Sequence, residues 1–162
     1  MSTDTAVLSP AELLEHWQGL RNLSRRVIEI FPDAHLFTYS IGNMRPFALL
    51  AGEMIAIAAP MAREIVTGQS VPYADYEATS KTELLARWDE ATAELNEWFA
   101  KVPPERFGET ITVFGQYTGT VWSHFFYAID NENHHRGQGY VYLRALGVEP
   151  PPFWERGAGS AA

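Results

Sequence analysis

Four stretches of this chain repeat apolar side chains at three- and four-residue intervals, and no series of alternating strands lies between them. That period is the mark of amphipathic helices, which must bury one face against one another. The first is expected from Pro10 to about Phe31, with Leu13, Leu14, Trp17, Leu20, Leu23, Val27 and Ile30 on its stripe. Ser9 suits the N-cap, Pro10 the first helical position, and Glu12 supplies an early acid. The second runs from about Pro46 to Thr67 and stops at Gly68; Pro60 inside it should bend the helix, unless the helix ends there and restarts. Ser80-Lys81-Thr82-Glu83 has the form of a capping box, opening a third helix that continues to about Lys101. The fourth starts near Thr118 or Thr120 and ends at Gly147, a natural residue after a helix C-cap. Four such segments predict an all-α four-helix bundle. The connections are longer than up-down neighbours need: residues 33–45, extended around Leu36 to Tyr39; a polar loop at 69–79; and 102–117, with a short strand at Ile111 to Phe114. They leave room for a crossover.

The 162 residues suit one domain over 1–156, followed by a small, polar, frayed tail at 157–162. There is no cysteine, which excludes disulfides, thiolate ligands and a cysteine nucleophile together. A net charge of −8 argues against a nucleic-acid partner, and the only basic cluster, Arg21, Arg25 and Arg26, is too small to offset it. The longest apolar run, Phe47 to Met61, contains Glu53 and Pro60 and falls short of the roughly 20 residues that span a bilayer. A cytoplasmic protein without a membrane partner is expected. Nine Phe, seven Tyr and five Trp are more than one small core comfortably buries, so a symmetric homodimer is expected too.

The chemistry-bearing stretch lies in the fourth segment. Asp130 to Gln138 holds no aliphatic or aromatic side chain, yet apolar runs flank it on both sides. At helical spacing Asn131, His135, Gln138 and Tyr142 share one face. A polar patch in an apolar stripe is costly unless its groups find partners or a ligand. Glu53, the only ionisable residue from Phe47 to Met61, either reaches water at the edge of a buried face or faces the fourth helix. In the second case it meets His135 or a metal, and a Glu–His pair would satisfy both groups without any metal. His134 lies about 100° round the helix from His135, so it borders the pocket or an interface. Asp130 with His134 and Glu132 with Arg136 read as ordinary surface pairs at i+4, and Gln138 as the holder of a supporting bond to His135 or a water. Gly137 and Gly139 cost about 1 kcal/mol each inside a helix, which close approach of a neighbour or room for a ligand would explain. Ser123 and His124 are adjacent, which does not by itself make a nucleophile–base pair.

His135-Arg136-Gly137-Gln138, then Tyr142-Leu143-Arg144, Gly147 and Pro150-Pro151, resembles the last-helix signature of the DinB/YfiT-like superfamily. Arg45-Pro46-Phe47 with Leu49 and Leu50 resembles the start of that family's second helix. The resemblance implies a bundle with a divalent-metal site of three histidines, one from helix two and two from helix four at i and i+4. It also implies, for some members, thiol-dependent transferase or isomerase activity with a small thiol cosubstrate. The matching positions here are Glu53, Asn131 and His135, with Gln138 and His134 beside them. One imidazole and two oxygens form a harder set than three imidazoles. Such a set favours Mn²⁺, Fe²⁺ or Mg²⁺ over tight Zn²⁺ binding; Mn, Fe, Zn or Ni is the expected ion, loosely held or absent. Two functions follow as expectations: a metal-dependent transferase or hydrolase whose substrate the sequence does not name, or a catalytically silent dimeric bundle acting as a small-molecule-binding or stress-response protein.

Overall fold

The computed structural model describes residues 7–157, so all of the expected tail but Gly157 lies outside the described residues. Four long helices carry the fold: α1 (Pro10–Ile30), α3 (Phe47–Thr67), α4 (Lys81–Ala100) and α5 (Val121–Ala145), with a single turn, α2 (Asp33–Leu36), between the first two. Their ends follow local chemistry. At α1 the Ser9 hydroxyl accepts from the Glu12 N–H at 3.2 Å while the Glu12 carboxylate accepts from the Ser9 N–H at 2.8 Å, a complete capping box. At α4 the box is only half formed. Ser80 caps the Glu83 N–H at 3.1 Å, but the Glu83 carboxylate accepts from Thr79 instead of Ser80, at 2.8 Å from the amide nitrogen. Helix α5 starts behind its N-cap Thr120, and Gly147 (φ 75°) closes it in a Schellman turn with Val148 N–H bonded to the Leu143 carbonyl at 2.9 Å.

Three expectations for the connections and for Pro60 meet different outcomes. The connection expected to extend around Leu36 to Tyr39 instead makes a helical turn at 33–36 and turns again at 37–38, because the Pro32 carbonyl accepts from both His35 and Leu36 and the Leu36 side chain is buried. Helix α3 runs through Pro60 without ending and restarting there. The strand expected at Ile111–Phe114 is β1 (Thr110–Val113), and it has a partner the sequence pattern did not disclose, β2 (Tyr117–Thr120), paired antiparallel.

Contacts fix the arrangement. Helix α3 packs against α4 and α5, as does α1, so the order round the bundle is α1, α4, α3, α5. Arg25 pairs with Asp89 and Gln18 with Asn96, so α1 and α4 are antiparallel. Glu53 meets Asn131 while Phe47 lies against Gly139, so α3 and α5 are antiparallel as well. Trp17 touches Phe125 and Ser24 meets Arg136, so α1 and α5 run together. The bundle is therefore up-down-down-up, and the parallel pair α3 and α4 needs a long return. Residues 68–80 provide it, running back over the outside of α3. Their seat is Gly52: a Cβ there would stand 1.9 Å from the Tyr76 carbonyl oxygen. Gly52→Ala should thus cost about 1–3 kcal/mol by overpacking, seen as an earlier urea midpoint with an unchanged slope.

The core is aromatic and aliphatic, centred on Trp17, Phe99, Phe107 and Phe125. Inside it lies an ion pair that overturns the expected surface pairing of Glu132 with Arg136. Glu132 is 1% exposed and bonds Arg21 of α1, equally buried, whose guanidinium sits 4.2 Å from the Trp88 ring and donates to Thr92 at 2.9 Å. Arg136 instead donates to the Leu20 carbonyl, the Ser24 hydroxyl and the Asn133 side chain. The physical reason is that α5 is wedged between two helices. Residues 131 and 135 face α3, and residues 132 and 136 face α1, so a polar side that reads as solvated is interior.

Candidate functional site

The expected face of α5 does meet α3. The Asn131 amide donates to Glu53 Oε1 at 2.8 Å, and His135 Nε2 lies 3.0 Å from the same oxygen. Arg45, just ahead of α3, donates to Glu53 Oε2. Tyr142 holds this corner in place, its hydroxyl donating to the Arg45 carbonyl at 3.0 Å. Gly139 lets the Phe47 ring approach to where a Cβ would collide, at 2.5 Å, and Phe47 stacks on Phe31 at 5.3 Å. Close approach therefore accounts for Gly139; among the described residues nothing stands within 4 Å of a Cβ at Gly137.

Burial pushes the Glu53 carboxyl up, but hydrogen bonds from Arg45, His135 and Asn131 outweigh it and lower the pKa to about 2. Glu53 is thus ionised at any physiological pH. His135 Nδ1 lies 2.9 Å from Gln138 Oε1, the supporting role expected for Gln138, while the Gln138 amide nitrogen is turned to Met44 Sδ at 3.5 Å. As placed, the Gln138 oxygen accepts from Nδ1; turned end for end, the amide would donate to Nδ1 and leave Nε2 to donate to Glu53. On the other side Nε2 faces a carboxylate oxygen, which only accepts. A hydrogen on Nε2, or a cation in its place, joins the ring to Glu53 Oε1. The buried Asn131 Oδ1 has no partner among the described residues, and a half-turn of that amide would bring it to the same point. With that half-turn, which would give up the amide bond to Glu53, His135 Nε2, Glu53 Oε1 and Asn131 Oδ1 would present one nitrogen and two oxygens to a common point, with Gln138 bonded to the far side of the imidazole. Among the described residues no three His, Asp or Glu side chains gather to hold a metal, and a three-ligand set here would have to include the amide. His134 is exposed, its ring tilted 5.0 Å from that of His135, and it does not join the node.

Beside the node opens a cavity of about 530 Å³, reached by Arg45 and Glu53. Ile57 and Met61 of α3 line it, with Tyr73 and Asp75 of the return segment, Phe114 and Tyr117 of the hairpin, and His124 and Tyr127 of α5. The hairpin turn places Phe114 at φ 52° and Gly115 at φ 70°, closed by Gln116 N–H on the Val113 carbonyl at 3.2 Å, the pattern of a type I′ turn. A bulky residue is strained there. The Phe114 N–H held by the buried Glu64 carboxylate at 2.9 Å and the ring packed edge-on to Tyr73 offset the strain. Sequence reasoning found Glu53, Asn131, His135 and Gln138 but missed this wall. His124 was the legible part of it: it lies seven residues before Asn131 and eleven before His135, on the same helical face.

The DinB family model matches residues 1–158. Two solved structures share the fold. A DinB-like protein from Bacillus cereus is 18% identical with a TM-score of 0.71, covering 88% of this chain and 95% of that one. A DinB-like protein (YjoA) from Bacillus subtilis is 20% identical with a TM-score of 0.74, covering 90% and 98%. No curated protein matches the chain. The up-down-down-up bundle and the family match over almost its whole length agree: the chain belongs to the DinB family.

Proposed function

We propose that the protein is a small-molecule transferase or hydrolase whose centre is a loosely held divalent metal on Glu53, Asn131 and His135, beside the aromatic cavity. The observation that carries this reading is the confrontation of His135 Nε2 with Glu53 Oε1 at 3.0 Å, with the other ring nitrogen committed to Gln138. A divalent ion there would acidify a bound water and polarise an oxygen of the ligand. The chain's own groups would do the rest: Tyr73, Phe114 and Tyr127 enclose an apolar body, and Arg45 presents the guanidinium donors that Glu53 leaves unused to an oxygen of the ligand.

Arg45 also favours a second reading. Its guanidinium already supplies Glu53 with a cation's charge, as a silent binding bundle would need. Melting curves of untagged protein with added Mn²⁺ separate the two. The metal reading expects a rise of about 3–5 °C when free Mn²⁺ is tenfold above Kd, absent in Glu53→Gln and in His135→Gln. A parent protein that melts at the same temperature with and without millimolar Mn²⁺ leaves the silent reading standing.

A further inference from the structure

We propose that His124 is a proton acceptor for ligands in the cavity, giving the protein general-base activity toward neutral, apolar molecules that carry a weakly acidic hydrogen. This goes beyond the metal reading and does not depend on it. His124 Nε2 lies 3.2 Å from the Ile111 carbonyl oxygen of β1. A carbonyl can only accept, so the ring hydrogen sits on Nε2 and the lone pair on Nδ1. Nδ1 has no hydrogen-bond partner among the described residues, while the residue is 7% exposed and lines the cavity.

An imidazole oriented by a carbonyl, largely buried and lining an aromatic-walled space, meets the requirements of a general base. Its rivals in the cavity are engaged. Glu53 accepts from Arg45, Asn131 and His135, Asp75 from Tyr73, and the Ser123 hydroxyl donates to the Thr120 carbonyl at 2.7 Å. Seven residues of helix separate His124 from Asn131, about 10 Å along the axis, so a base at this end acts apart from the node.

The probe is 5-nitrobenzisoxazole, a neutral aromatic of suitable size, in buffer containing EDTA. The base takes the C3 proton, the C–H electron pair forms the nitrile, the N–O bond breaks, and the ring oxygen leaves as a coloured phenolate. The expected second-order rate constant is at least about 100-fold above that of free imidazole. His124→Gln keeps an N–H for the Ile111 carbonyl but has no basic nitrogen, and should lose at least tenfold of that rate. A rate no better than imidazole, or one that survives His124→Gln, overturns the proposal. Should that variant not fold, ¹⁵N spectra of the parent decide: a hydrogen on Nδ1 instead of Nε2 of neutral His124 defeats it. Neither failure touches the Mn²⁺ result.

Discussion

Glu132→Leu should destabilise the protein by about 3–5 kcal/mol, lowering the melting temperature by roughly 10 °C. The substitution is apolar and helix-compatible, so on sequence grounds it is mild. Its cost comes from Arg21, which is 1% exposed and would keep a buried charge with Thr92 and the face of Trp88 as its only compensation. Burial pushes the Glu132 carboxyl up, against the pull of the Arg21 and Arg136 charges, so the pair is held at a high desolvation cost. Arg21 Nη2 and Glu132 Oε2 have no partner among the described residues, so the pair is also imperfectly satisfied. Removing both charges, as Arg21→Met with Glu132→Leu, should therefore recover most of the loss or exceed the parent's stability. Urea unfolding of the three proteins tests this. A single variant within about 1 kcal/mol of the parent would mean that the pair is not buried as described.

Asn131→His should tighten Zn²⁺ binding by on the order of 100-fold, because it converts a carboxylate, an amide and an imidazole into the His₂Glu set of open catalytic zinc sites. The geometry permits it: residue 131 already reaches Glu53 at 2.8 Å and lies one turn from His135 on the same face. Changing Glu53→His as well would complete three imidazoles but would leave Arg45 without its carboxylate, so the single change is the cleaner test. Competition against a chromophoric chelator gives the affinity directly. If Asn131→His binds Zn²⁺ no better than the parent, the three side chains do not share a centre, and the metal reading fails with them.

The helices were legible because their signals are local. Ser9 and Glu12, Ser80, Thr120 and Gly147 set helix ends through bonds within a few residues, and the stripes of α1 and α4 repeat at the helical period. The polar face of α5 was legible for the same reason: Asn131, His135 and Gln138 share it by periodicity alone. The pairing of Glu53 with that face rested on the family resemblance, and hydrogen bonds between α3 and α5 bear the pairing out.

What only the tertiary structure decided concerns neighbours distant in sequence. Glu132 and Arg136 have the spacing of a solvated pair, and nothing local distinguishes them from one. The packing of α1 along α5 takes them out of water and gives Glu132 to Arg21. The cavity draws its wall from the return segment, the hairpin and two helices, and so had no contiguous signature; Tyr73 and Phe114 meet across forty residues because parallel α3 and α4 force the chain back over Gly52. A sequence determines by itself the terms set by backbone hydrogen bonds and side-chain period within a helix. Desolvation and charge pairing depend on which surfaces are brought together, and those are settled only when the helices pack.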